Sequence, residues 1–160
     1  MSSTAVAGRG GSIYRRFMAR LPRSALPPEG IYHVTSRGVA RCAIFGDDED
    51  RRELLRLLWR VARRWAWRCP AFTLMTNHFH LLVDTELEAL SAGMSALNGL
   101  YAQEFNEKYT RVGHLFQGRF EARVLRDEEH LENACAYVWN NPVRVGLCET
   151  AADWPWNGSI

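Results

Sequence analysis

The stretch Leu74-Met75-Thr76-Asn77-His78-Phe79-His80-Leu81-Leu82-Val83 decides how this chain reads. In a strand, residues i and i+2 project from one face, so His78 and His80 point the same way. Phe79, Leu81, Leu82 and Val83 are what a buried strand carries. Two imidazoles on one face of a rigid strand can hold two corners of a metal site. A metal beside a suitable nucleophile means phosphate or acyl chemistry.

The neighbouring segments give that strand a setting. Phe72 to Met75 reads as a partner strand, joined to Phe79–Asp84 near Thr76-Asn77. Ile31 to Ser36 alternates and is rich in β-branched and aromatic residues, so it reads as a first strand ending near Gly38. Asp47 to Trp67 is the clearest helix: Asp47 or Asp48 can cap it, and Glu49 and Asp50 favour its first turn. Leu54, Leu57, Leu58, Val61 and Trp65 recur at helical spacing, while Arg52, Arg56, Arg60, Arg63 and Arg64 form a solvated face. A second helix is expected from about Glu86 to Tyr109, with Leu90, Met94, Leu97, Tyr101 and Phe105 stepping by three and four. Phe116 to Leu125 reads as a bent segment ending in a strand. The last helix starts near Asp127 and stops at Asn141 or just before, at Pro142. This order predicts an α+β fold, a ferredoxin-like sandwich with helices packed on a mainly antiparallel sheet. The tryptophans read mostly as core or packing residues. Residues 1–17 read as a disordered lead-in, with Met18 a candidate initiator, and 18–160 as one domain.

Composition excludes several classes. The chain has 160 residues, 47% of them hydrophobic and 24% charged, ordinary for a soluble globular protein. Net charge is +2, so bulk charge does not announce a nucleic-acid binder. Of the 20 Lys+Arg, only Lys108 is lysine. Arginine makes planar, bidentate phosphate contacts; a codon bias toward arginine explains the same count. Cys42, Cys69, Cys135 and Cys148 have neither zinc-knuckle nor disulfide-framework spacing and read as free thiols of a reducing cytoplasm. No signal peptide and no membrane span is legible.

Tyr137 and Asn141 are four apart in the last helix, one turn above each other, with Asn133 one turn below. Leu131, Ala134, Cys135 and Val138 form the apolar face beside them. A tyrosine there can reach the sheet while its helix stays anchored, and an amide at Asn141 can offer a carbonyl oxygen to a hard cation. Two imidazoles and one amide oxygen leave positions open for phosphate oxygens and water.

The chain resembles the single-tyrosine transposases of the IS200/IS605 type, in particular their REP-associated relatives. The resemblance rests on Ile31-Tyr32-His33-Val34-Thr35-Ser36-Arg37-Gly38, His78-Phe79-His80 and Gly113-His114-Leu115-Phe116-Gln117-Gly118-Arg119-Phe120. It continues through Tyr137-Val138-Trp139-Asn140-Asn141-Pro142-Val143-Arg144 to Asp153-Trp154-Pro155-Trp156. It implies that the histidine–hydrophobic–histidine motif supplies His78 and His80 as metal ligands, that Tyr137 is the nucleophile and that Asn141 is the third ligand. Some relatives carry glutamine there, and asparagine reaches less far. Relatives usually carry proline where this chain has Thr76. The chain ends soon after Trp156, so a longer C-terminal DNA-binding extension is not expected.

The resemblance further implies a divalent metal, Mg2+ or Mn2+, and single-stranded or hairpin DNA as substrate. Cleavage leaves a 5′-phosphotyrosine link and a free 3′-hydroxyl. Arg37, Arg119 and Arg123 are the candidates for backbone contacts. His33 reads as a satisfied sheet histidine, although it could line the site. A domesticated protein that binds DNA hairpins without cutting is the competing reading. A homodimer, with the tyrosine helix serving the partner's metal site, and a monomer both stay open. The expected location is the cytoplasm, on the nucleoid.

Overall fold

The computed structural model describes residues 18–19 and 22–160; the lead-in read at 1–17 lies outside the described residues. Six strands form one sheet: β1 Met18–Ala19, β2 Glu29–Arg37, β3 Arg68–Leu74, β4 His78–Glu86, β5 Glu121–Leu125 and β6 Asn157–Gly158. Their order is β1-β5-β2-β4-β3-β6, and every neighbouring pair is antiparallel. The helices are α1 Asp48–Arg64, α2 Leu87–Lys108, α3 Leu131–Trp139 and α4 Asn141–Arg144. No described helix is long and apolar enough to cross a membrane.

The alternation along β4 splits the molecule into two layers. Phe79, Leu81 and Val83 face α1 and α2, joining Tyr32, Val34, Leu54, Leu58, Met94 and Tyr101 in the larger core. Leu82 faces the other way, where it packs with Ile31, Ala71 and Leu125 against Ala134, Cys135 and Val138 of α3. His78 and His80 share the Leu82 side by strand parity. The histidine pair therefore lies on the same side of the sheet as the tyrosine helix.

Asp47 caps α1: its carboxylate accepts from Asp50 N, while Asp50 accepts from Asp47 N in a reciprocal capping box. Arg52 and Arg56 pair with Glu49 and Glu53 on the exposed side of α1. Trp59 is 52% exposed, against the packing role read for the tryptophans; it lies off the Leu54–Leu58–Val61 stripe.

The last helix is shorter and more broken than its sequence predicts. A 3-10 turn, Glu128–His130, precedes α3, which ends at Trp139. Pro142 lacks an N–H, so the path restarts as the four-residue α4 with proline in its first turn. The C-terminal segment then returns to the far sheet edge. Trp154 donates Nε1–H to Leu74 O at 2.9 Å, and Cys69 and Ile160 exchange backbone hydrogen bonds.

Candidate active site

Strand register builds the site. Arg37 lies opposite His78 and Thr35 opposite His80 across β2–β4. On the other side of β2, His33 lies opposite Arg123 and Thr35 opposite Glu121. The α3 face of the sheet thus carries His33, Thr35, Arg37, His78, His80 and Arg123 in three adjacent strands. The rings of His78 and His80 stand edge to face, centroids 4.8 Å apart.

Each ring of the pair has one nitrogen engaged. His78 Nδ1 is 2.6 Å from Asn77 Oδ1, and Asn77 in turn donates Nδ2–H to Arg41 O at 3.1 Å. His80 Nδ1 is 2.9 Å from His33 Nε2 and 3.0 Å from Thr35 Oγ1. The Nε2 atoms are the nitrogens left for a ligand, a pattern typical of metal-binding histidine.

Burial holds all three imidazoles neutral at pH 7. It pushes His33 down to about 3, with Arg123 adding to the effect. It pushes His78 down to about 4, helped by Arg37. His80 falls well below the ordinary histidine value, by burial first and then by His33, His78 and the two arginines. A neutral imidazole keeps the lone pair that a metal needs.

Tyr137 comes from α3 and meets this cluster through His33: the two rings stand edge to face with centroids 6.1 Å apart. The Arg144 guanidinium covers the Tyr137 ring at 4.8 Å from its centroid. Asn141 is tied to its own helix, donating Nδ2–H to Tyr137 O at 3.0 Å and Val138 O at 3.2 Å. Its Oδ1 is the amide atom left to ligate, although no hydrogen bond joins it to either strand histidine. Asn133, one turn earlier, is exposed.

Arg37, Arg119 and Arg123 converge. With Thr35, Gln117, Gly118 and Glu121 they line a cleft of about 510 Å³ beside the histidines. Arg119 reaches it because the 115–119 loop is sewn to the end of β2 by Val39 N→Leu115 O and Gln117 N→Arg37 O bonds. Gly118 and Arg119 also line a second cavity, of about 750 Å³, with Asn98, His114, Phe116 and Phe120.

Among the described residues, no three His, Cys, Asp or Glu side chains converge on one metal position. His78 and His80 offer two neutral imidazole nitrogens and Asn141 an amide oxygen, donors that could hold a divalent cation whose remaining positions are filled by oxygen from elsewhere. Sequence reasoning missed Thr35, Asn77 and Arg144; it read His33 as a satisfied sheet histidine that could line the site. For Thr35 the signal was available: His33, Thr35 and Arg37 alternate on one face of β2.

Fold and site together define an α+β protein whose antiparallel sheet carries a strand-borne histidine pair on the face that a tyrosine-bearing helix packs against. The chain matches the family described as "Transposase IS200 like" over residues 28–141, and it belongs to that family. A Haemophilus influenzae protein named as a REP-associated tyrosine transposase is 27% identical over 110 residues, 61% of this chain. The match spans 62% of that relative's length. The fold is also that of a REP-associated tyrosine transposase solved bound to a REP hairpin: TM-score 0.67, 18% identity, covering 88% of this chain and 82% of that one.

Proposed function

We propose that the chain is a metal-dependent single-stranded DNA endonuclease and strand transferase that acts on hairpin DNA through a 5′-phosphotyrosine intermediate. The observation that carries this reading is the ring contact of Tyr137 with His33, which is itself hydrogen-bonded to His80. It joins the candidate nucleophile to the candidate ligand strand inside one chain. Family membership supports the same class of activity.

His78, His80 and Asn141 would hold the cation. Bound there, Mg2+ or Mn2+ supplies positive charge that neutralises the scissile phosphate. Arg37, Arg119 and Arg123 hold the flanking phosphates in the adjoining cleft, which fixes the strand relative to Tyr137. The phenol oxygen of Tyr137 attacks phosphorus, an O–P bond forms, and the bond from phosphorus to the 3′-oxygen breaks. The phenolic proton leaves to solvent and the departing 3′-oxygen takes one up. The phosphotyrosine link conserves the energy of the broken bond, so a second 3′-hydroxyl reseals the strand by the reverse displacement without a nucleotide cofactor.

The test is a denaturing gel with end-labelled hairpin DNA, with manganese and with chelator. The expected result is a protein–DNA adduct that carries the label of the 5′-phosphate side and forms only with metal. Retarded migration in a native gel without any adduct would favour the non-cutting hairpin binder.

A further inference from the structure

The three-atom contact among His33 Nε2, His80 Nδ1 and Thr35 Oγ1 has no role in the chemistry above, yet it decides whether His80 can act as a ligand. A neutral imidazole carries one proton, so a ring that ligates through Nε2 must hold its proton on Nδ1. For His78 the assignment is unambiguous. Asn77 Nδ2 is the donor to Arg41 O, so Asn77 presents Oδ1 to His78, and a carbonyl oxygen only accepts. His78 therefore donates from Nδ1 and keeps its Nε2 lone pair.

His80 has two options. With the proton on His80 Nδ1, the ring donates to the His33 Nε2 lone pair at 2.9 Å, with Thr35 Oγ1 at 3.0 Å as a second acceptor. With the proton on His33 Nε2 instead, His80 Nδ1 accepts, and its own proton must sit on Nε2. The first arrangement matches the form already set at His78; the second leaves one ring of the pair unable to ligate.

We propose that His33 is a positioning residue that presents an unprotonated Nε2 to His80 and so holds His80 in the Nδ1–H form. This rests on the reading of His78 and His80 as ligands. His33 is 6% exposed and stacked on His80, with ring centroids 5.0 Å apart and planes 24° from parallel, so the pair meets in one fixed orientation. The same ring stands against Tyr137, so His33 touches both the ligand strand and the nucleophile helix.

The test uses the full chain without metal. Imidazole 15N spectra, assigned with His80→Asn, are expected to show His80 as Nδ1–H, and manganese titration followed by electron paramagnetic resonance gives the affinity. His33→Leu is expected to mix the His80 tautomers and weaken manganese binding about 10–100-fold, the usual effect of losing such an outer partner. His33→Gln, whose Oε1 can accept near the original Nε2 position, is expected to restore the tautomer and most of the affinity. A purely structural role would move neither the tautomer nor its rescue. Wild-type His80 in the Nε2–H form overturns the proposal without any variant, so a misfolded His33→Leu protein leaves it decidable. An unchanged tautomer and affinity in His33→Leu also overturns it. Wild-type protein that shows the expected tautomer but binds no manganese removes the metal reading and keeps the positioning role.

Discussion

A histidine wedged between strands resists protonation because the imidazolium cannot be solvated there, and this sets a pH dependence with a definite sign. His33 has its folded value near 3 against an ordinary 6.5. Above pH 6.5 neither folded nor unfolded chain binds the proton, and the stability tied to His33 is fully present. Between 6.5 and about 3 only the unfolded chain takes it up, so stability falls by about 1.4 kcal/mol per pH unit from this residue. Urea denaturation at pH 7, 6 and 5 should show the wild type losing more than His33→Gln does; parallel curves would place His33 in water. Tyr137 offers a second check at this scale. Tyr137→Phe removes one oxygen from a half-buried ring and keeps its contacts with His33 and Arg144, so folding is expected to be unchanged while the covalent adduct is lost. An adduct that persisted would move the nucleophile elsewhere.

At the scale of elements, α2 meets the segment that leads into β3 through a contact with no slack. A Cβ added at Gly93 would lie 2.2 Å from Trp67 Cζ2, and Trp67 is 6% exposed and donates Nε1–H to Ala89 O. Alanine would gain helix propensity of about 1 kcal/mol over glycine. The overlap falls on a buried, hydrogen-bonded ring, and overpacking costs about 1–3 kcal/mol. Gly93→Ala is therefore expected to lower stability by up to about 2 kcal/mol in chemical denaturation; a gain would mean that Trp67 swings freely. The helices themselves were legible because their stripes are local. Leu54, Leu57, Leu58 and Val61 declare one face of α1, and Asp47 its start. Two features were not. The pair Asn157–Gly158 is a strand only because it bonds to Phe72 and Thr73 across the sheet, and no two-residue period can announce that. The role of His33 was hidden for a related reason. Alternation shows which face of β2 it occupies, but not that β4 would set His80 beside it, since that pairing is nonlocal.

For the whole molecule, the consequence of the sheet order is a division of labour between faces. One face is closed by α1 and α2 over the larger core. The other is covered by α3 only over the smaller cluster of Ile31, Ala71, Leu82 and Leu125, and the arginine cleft lies beyond that cover. With net charge only +2, any attraction for DNA must come from where the arginines sit, not from how many there are. Arg37, Arg119 and Arg123 come from β2, from the loop after α2 and from β5, and meet only because β5 and β2 are neighbours. If the cleft tracks a phosphate backbone, each arginine that meets a phosphate releases about one counterion on binding. Arg119 is the cleanest probe, since it is exposed and sits outside the strands that carry the histidines. Arg119→Ala is expected to weaken hairpin binding for every sequence tested and to reduce the slope of log affinity against log salt by about 0.7–0.9. Fluorescence anisotropy from low to moderate salt measures both. A slope identical to that of the wild type would take Arg119 out of phosphate contact and leave the cleft to its two strand-borne arginines.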